Sequence, residues 1–232
     1  MRKLRIGLLA VAAIVSLQSI KAQTVDEIVD KHLTAMGGKE KLLSLKSVKM
    51  TGTLNTQGFD VGIAVTVLQG VGSRNDISVP GMGEGFQVMN AGKGWNFMPF
   101  LGQASPEEVS ADQVKASQGM LDLQGSLLNY KDKGNKVELL GKDKVADSEC
   151  YKLKVTNAAG KESTLFIGAA TFYRVKSVIK IGENEVENTY SDFKKNEDGF
   201  LFPFSQTNDR GTIVFSAIET NKPVDEKIFT IN

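Results

Sequence analysis

Residues 47–68 read SVKMTGTLNTQGFDVGIAVTVL, and this stretch decides the fold class. Apolar residues alternate with polar ones from Val48 to Leu54, and apolar positions again recur at every second residue from Val61 to Val67. Side chains two residues apart share one face of a strand, and the glycine of Gln57-Gly58 between the runs is typical of a tight turn. The stretch therefore predicts a β-hairpin with one apolar face.

The same alternation recurs along the chain and predicts about twelve short strands. Glycine-rich or polar pieces of hairpin length join most of them, which favours antiparallel pairing of sequence neighbours. Twelve strands exceed what a strongly twisted open sheet usually carries, so we expect the sheet to curl into a barrel or half-barrel. The remaining predicted strands lie near Arg74–Val79, Gly85–Met89, Gly94–Met98, Val137–Leu140, Tyr151–Val155, Leu165–Ile167, Val175–Ile181, Glu185–Tyr190, Phe202–Ser205 and Ile213–Ile218.

An amphipathic helix is predicted before the first strand. Its apolar residues recur at helical spacing after Thr24, a good N-cap, and Gly37-Gly38 ends it. Lys39 to Leu45 is compatible with a further short helical turn.

A second helical region interrupts the strands. Ser105-Pro106-Glu107-Glu108 offers an N-cap, a proline in the first turn and acids near the helix N-terminus, and helical sequence continues to about Met120. The next piece, Leu121–Tyr130, is unusually apolar for a connection and is expected to cover something. We therefore predict a mainly β fold with some α: a curled antiparallel sheet forming an incomplete β-barrel, closed on its concave side by the N-terminal helix and this helical insertion.

The first residues predict export from the cytoplasm. Arg2, Lys3 and Arg5 precede an apolar run from Ile6 to Leu17, and Ala22 is a small residue at the cleavage position. Twelve residues at about 1.5 Å each are too short to cross a hydrocarbon core of about 30 Å. We predict a signal peptide over 1–22, cleaved after Ala22, and one periplasmic domain over 23–232 with no transmembrane segment.

Charge excludes several classes of partner. Residues 1–22 contain four basic residues and no acid, so 28 basic against 27 acidic residues become 24 against 27 in the mature chain, a net charge near −3. Nucleic-acid binders and polybasic membrane-surface proteins need an excess of Lys and Arg. Neither class is expected.

Catalytic signatures are scarce. The chain has one histidine, His32, which borders the apolar stripe of the first helix, and one cysteine, Cys150, best interpreted as a small buried hydrophobe. It lacks the His-Glu-x-x-His, Gly-x-Ser-x-Gly, phosphate-loop and Cys-x-x-Cys motifs. We expect no enzyme activity, metal or cofactor.

Five weak motifs carry a family resemblance when taken in order. They are Asp26-Glu27-Ile28 running to Met36-Gly37-Gly38-Lys39-Glu40-Lys41, Gly92-Lys93-Gly94-Trp95 with Pro99, Gly141-Lys142 running to Tyr151-Lys152-Leu153, Phe202-Pro203-Phe204, and Pro223-Val224-Asp225 with Phe229. This order resembles the periplasmic outer-membrane lipoprotein carriers, the LolA-like superfamily, and especially its lipoprotein-sorting branch. The resemblance implies an incomplete barrel of about eleven strands, closed on one side by helices, whose hydrophobic cavity takes the acyl chains of lipoproteins.

The resemblance also implies partners and a lid. A carrier shields acyl chains, each buried methylene contributing about 0.8 kcal/mol, and works between an inner-membrane release complex and an outer-membrane acceptor. Proteins of this family commonly hold the lid with an arginine of a basic, basic, proline stretch where the second strand turns into the third. Here Gln69-Gly70-Val71 stands at that place, with Arg74 nearby, and no residue is assigned to the latch.

Period-two spacing predicts which side chains line the cavity. One alternative is that these side chains form ordinary core in a filled barrel. Two others concern the function of the whole protein, which is then a non-enzymatic sensor or interaction module on the same fold, or an unrecognised hydrolase. The candidate lining is Met50, Leu54, Ile63, Val65, Ile77, Val88, Trp95, Phe97, Leu153, Ile167, Ile179, Tyr190 and Phe215, and the candidate lid is Val109, Met120, Leu123, Leu127 and Leu128.

Overall fold

The computed structural model describes residues 23–56, 58–181 and 184–231. The predicted signal peptide over 1–22 lies outside the described residues. Among the residues described, no helix has the length and hydropathy to span a membrane.

A single antiparallel sheet of thirteen strands forms the body of the molecule. The sequence predicted twelve of these strands, and the additional one is the two-residue strand Glu107–Glu108. The first six strands lie in order between one edge and the centre, where the first strand pairs with the last, and the remaining strands return in reverse order to the seventh at the other edge. The strands are β1 (Ser47–Thr56), β2 (Phe59–Leu68), β3 (Gly72–Val79), β4 (Gly83–Asn90), β5 (Gly94–Phe97), β6 (Glu107–Glu108), β7 (Lys136–Val145), β8 (Ser148–Thr156), β9 (Glu162–Gly168), β10 (Arg174–Ile181), β11 (Asn184–Lys195), β12 (Leu201–Asn208) and β13 (Gly211–Thr220).

The first helix follows the sequence closely. Helix α1 spans Val25–Ala35, and Thr24 and Glu27 form a capping box in which each side chain accepts a hydrogen bond from the other residue's backbone N–H. Helix α2 spans Lys39–Leu43.

The start of the third helix was predicted wrongly. Helix α3 spans Ala111–Ser117 and is capped by Ser110 with Gln113, five residues after the predicted cap Ser105. The reason is strand pairing: Glu107–Glu108 adds to the sheet edge beside Trp95 and Asn96 instead of opening a helix. A 3₁₀ turn over Gln118–Leu121 continues α3.

Topology decides what covers the sheet. Strands β6 and β7 are consecutive along the chain but lie at opposite edges of the sheet, so the connection between them must cross a sheet face. We call residues 109–135 the crossing segment. Its contacts place it on the face that α1 also covers, which we call the inner face.

Two apolar clusters hold these layers together. In the first, α1 and the crossing segment pack on strands β8 and β9. In the second, Leu45 packs on strands β1, β12 and β13, with Leu123 of the crossing segment against it. The buried members of the first are Ile28, Val29, Leu33, Leu127, Leu128, Leu153, Val155, Leu165 and Ile167, and those of the second are Leu45, Val48, Phe200, Phe215 and Ile218.

The opposite, outer face is covered locally by the C-terminal 3₁₀ turn over Glu226–Phe229. Phe229 is buried against Gly72, where an added Cβ would lie 2.4 Å from its ring. Gly72 is therefore required by close packing of this turn on β3. Cys150 is a fully buried free thiol on β8, as expected from the sequence.

We expect Leu128→Ala to lower the free energy of unfolding by about 2–5 kcal/mol, because the Leu128 side chain is fully buried beneath α1 and its loss leaves a cavity. Urea denaturation measures this change. The matched control is Leu140→Ala on edge strand β7, where the side chain is 53% exposed and the change should stay within about 0.5 kcal/mol. Equal effects of the two substitutions would contradict a core role for the crossing segment.

Candidate functional site

A cavity of about 160 Å³ lies between the helical layer and the inner face of the sheet. Helix α1 contributes His32, Leu33 and Met36 to its wall, the crossing segment contributes residues 123–127, and strands β9, β10 and β12 close it from below. The wall is mainly apolar. Its polar side chains are His32, Gln124, Ser126 and Arg174, and Arg174 is the charged one among them.

His32 is held as a neutral base. Its Nδ1 lies 2.7 Å from the carbonyl oxygen of Phe172, so Nδ1 carries the proton and Nε2 is left as an acceptor. Burial lowers the pKa of His32 from 6.5 to about 4; the bond to Phe172 opposes this shift, and the positive charge of Arg174 adds to it. At neutral pH the ring is therefore uncharged.

The loop between β9 and β10 is built to present that carbonyl. Phe172 has φ of 57°, a left-handed conformation unusual for an aromatic residue. The backbone N–H of Phe172 donates to Gly168 and the N–H of Gly168 donates to Tyr173, while the Phe172 ring stacks on Tyr151. These bonds fix the strained residue and connect α1, through His32, to the strand that begins at Arg174.

Arg174 is oriented by an aromatic ring. Its guanidinium carbon lies 4.7 Å from the ring centroid of Tyr190, and the Tyr190 hydroxyl lies 2.9 Å from the hydroxyl of buried Ser177. The register of β9 to β11 places all three side chains on the inner face. The result is a cation of fixed orientation in the wall of an apolar cavity.

Hydrogen bonds hold the crossing segment down where the sequence left the latch unassigned. Gln69 Oε1 accepts from the backbone N–H of Leu123 at 2.6 Å, and the N–H of Gly70 donates to the carbonyl of Leu121 at 2.9 Å. Asp122 in turn lies 2.6 Å from Lys133. Gln69 and Gly70 thus bind the crossing segment through a side-chain amide and the backbone.

The predicted lining residues divide between the two faces. Strand β4 places Met89 and Gln87 inward, so Val88, one residue out of phase, points outward with its partner Trp95. Phe97 lies on the same outer face, paired with Phe86. The strand register thus separates these three from the other predicted lining residues, although Phe97 borders one recess together with Ile63 and Ile77. Those on the inner face are Met50, Leu54, Ile63, Val65, Ile77, Leu153, Ile167, Ile179, Tyr190 and Phe215.

The inner-face residues do not form one open surface. Leu153 and Ile167 are fully buried under α1, whereas Ile179 is 41% exposed. None of these strand residues lines the cavity described above; of the predicted set, Leu123 and Leu127 do. The position of His32 beside the apolar stripe of α1 could be recognised in the sequence. No local pattern marks Arg174, a charged residue at the start of a strand, as part of the cavity wall.

The residues of the predicted lid also differ in burial and position. Leu127 and Leu128 are buried core, Leu123 is partly buried at the cavity, and Val109 packs near Gly94. Met120 is 69% exposed, because the 3₁₀ turn directs it away from the sheet.

A second recess of about 510 Å³ lies on the outer face across strands β1 to β5. Its wall includes Phe86, Phe97 and the ion pair of Arg74 with Asp76, whose N–O distance is 2.8 Å. Because Arg74 is already paired and also lies over the Phe86 ring, its charge is satisfied within the protein. In residues 23–56, 58–181 and 184–231 no cluster of three or more His, Cys, Asp or Glu side chains is arranged to hold a metal ion.

No family model matches the sequence, and no curated protein matches it significantly. Solved structures do match its fold. A LolA superfamily protein from Nitrosomonas europaea is 17% identical with a TM-score of 0.57, over 90% of this chain and 99% of that one. The chain has a LolA-like fold.

Two further structures match over similar lengths. A domain described as an outer-membrane lipoprotein-sorting protein from Vibrio parahaemolyticus is 13% identical, with a TM-score of 0.52 over 88% of this chain and 94% of that one. A DUF1329 family protein from Desulfovibrio piger is also 13% identical, with a TM-score of 0.57 over 90% and 98%. At such identities the likeness establishes the fold of this LolA-like chain.

The buried neutral His32 predicts a pH-dependent stability. Its pKa is lower folded than unfolded, so the unfolded chain binds more protons between pH 6.5 and 4, and stability falls as the pH falls through that range. The expected loss from His32 is about 2 kcal/mol between pH 7.5 and pH 5. Urea denaturation at both pH values measures it.

The control variant is His32→Asn, whose amide can still donate to Phe172 and does not titrate. Carboxylates titrate in both proteins, so the difference between the two pH dependences isolates His32. Parallel pH dependences would contradict a neutral buried ring.

Proposed function

We propose that this LolA-like chain is a non-enzymatic periplasmic carrier or binding protein that shields acyl chains of lipids or lipoproteins during transport to the outer membrane. The observation that carries the proposal is the mainly apolar cavity between the inner face of the sheet and the part of the crossing segment that is hydrogen-bonded to Gln69. Shielding requires apolar burial and no catalytic group. The fold shared with a lipoprotein-sorting domain supports the assignment.

The size of the cavity implies that it opens. About 160 Å³ is close to the volume of an engineered cavity that holds benzene, and sites for larger ligands span about 300–1,000 Å³. A long acyl chain therefore needs the crossing segment to move away from the sheet. Cargo would replace the apolar contacts of Leu123 and extend between the two clusters.

A sensor or interaction module on the same fold is the second candidate. The small volume of the cavity and the complete burial of Leu153 and Ile167 support it, because side chains that pack against each other leave less room for an acyl chain. The two candidates differ in whether acyl ligands bind. A release complex and an acceptor at the two membranes are further partners of the carrier proposal.

We expect Leu123→Trp to weaken binding of a long-chain acyl ligand at least about tenfold, because the indole fills the cavity that Leu123 lines. Binding is measured by calorimetric titration of the mature protein with lipid. The matched control is Met120→Trp, three residues earlier in the same segment, where the side chain is 69% exposed and affinity should be unchanged. No binding by the parent protein would favour the interaction module instead.

We expect Gln69→Leu to speed hydrogen exchange of the Leu123 amide at least about tenfold, because the substitution removes the acceptor of that N–H. Exchange followed by mass spectrometry or NMR measures the change. Gln87→Leu, on exposed strand surface, is the control and should leave this amide unaffected. Unchanged exchange in Gln69→Leu would show that Gln69 does not hold the segment.

A further inference from the structure

Arg174 combines partial burial with the lack of an ion-pair partner in the described part of the chain. Arg74, Lys133 and Lys176 each lie within ion-pair distance of a carboxylate, whereas in the described part of the chain Arg174 lies near none. It is partly buried in the wall of the cavity rather than on the open surface. A partly desolvated cation without a counter-ion is destabilising unless a ligand supplies one.

The surroundings of Arg174 hold the guanidinium ready for an anion. The Tyr190 ring supports one of its faces at 4.7 Å, and the bond of Tyr190 with buried Ser177 keeps that ring in place. Because the planar guanidinium presents paired N–H donors, it matches the two oxygens of a carboxylate or phosphate. Less freedom is lost on binding when the donor is already oriented.

The rest of the cavity wall suits the apolar part of the same molecule. Leu33, Leu42, Leu123 and Phe202 lie around the same space, and Arg174 is the charged side chain in the described wall. His32 adds a neutral acceptor and no second charge. The wall thus combines a single cation with apolar contacts, which is the complement of an amphiphile with one anionic group.

We propose that the cavity binds an anionic amphiphile, with its carboxylate or phosphate held by Arg174 and its hydrocarbon chain between α1, the crossing segment and the sheet. This inference rests on the proposed function, since it names the chemical class of the shielded molecule. The proposal predicts that the cavity binds a free fatty acid or an anionic phospholipid more tightly than a lipid whose head group is uncharged.

The test compares dodecanoate with dodecanol, which differ in the head group and share the chain length. Calorimetric titration should give dodecanoate binding that weakens at least about tenfold in Arg174→Gln, with dodecanol affinity changed less than about twofold. Arg174→Lys keeps the charge without the paired donors and should fall between. Arg210→Gln removes the same charge from an exposed turn and should bind like the parent protein.

A second readout separates contact from a folding defect. With ¹³C-carboxyl-labelled dodecanoate, NMR titration should give a bound carboxyl group whose pKa is lower in the parent protein than in Arg174→Gln, because a nearby cation favours the carboxylate. Urea denaturation establishes whether Arg174→Gln is folded. Equal weakening of both ligands, or of neither, overturns the proposal.

Further ligand comparisons identify the source of the anion and show whether a negative result concerns the anion site alone or acyl shielding as well. Short-chain phosphatidic acid that binds more tightly than the matching diacylglycerol, with the preference lost in Arg174→Gln, supports a phosphate head group. Dodecanol that binds as tightly as dodecanoate overturns the anion site but leaves acyl shielding standing. Absence of binding by every ligand overturns both.

Discussion

The order of strands in the sheet is the constraint on which the rest of the molecule depends. Because β6 and β7 lie at opposite edges, residues 109–135 have to span the sheet, and their leucines find apolar partners only on the inner face. The sheet stays open instead of closing edge to edge. Helix α1 packs beside the crossing segment, and the space left between helices and strands is the cavity.

A segment of little regular structure can lie over a sheet only if its backbone groups find partners. Gln69 and Gly70, at the turn between β2 and β3, supply them to Leu121 and Leu123. Because these bonds are few and partly accessible to water, together they contribute less stability than the ladder of hydrogen bonds between two paired strands. These bonds tie the central part of the crossing segment to the turn between β2 and β3.

Period-two patterns predicted the strands well because each buries an apolar face, but they predicted register poorly. In β4 the observed register turns Val88 to the outer face, because turn geometry sets the pairing together with the hydrophobic pattern, and a shift of one residue exchanges the two faces. Two consecutive acids, Glu107–Glu108, gave no strand signal because their pairing depends on β5. The role of Arg174 depends on residues distant in sequence, His32 and Tyr190, and no local pattern carries that information.

The position of the cavity between two clusters also bears on how cargo enters. Leu127 and Leu128 belong to the first cluster, beneath α1, whereas Leu123 contacts the second. The residues between them therefore link two packed bodies across the cavity. Displacement of Leu123 would uncover a cavity wall that includes Arg174, whereas Leu128 belongs to the first cluster with Leu153 and Ile167.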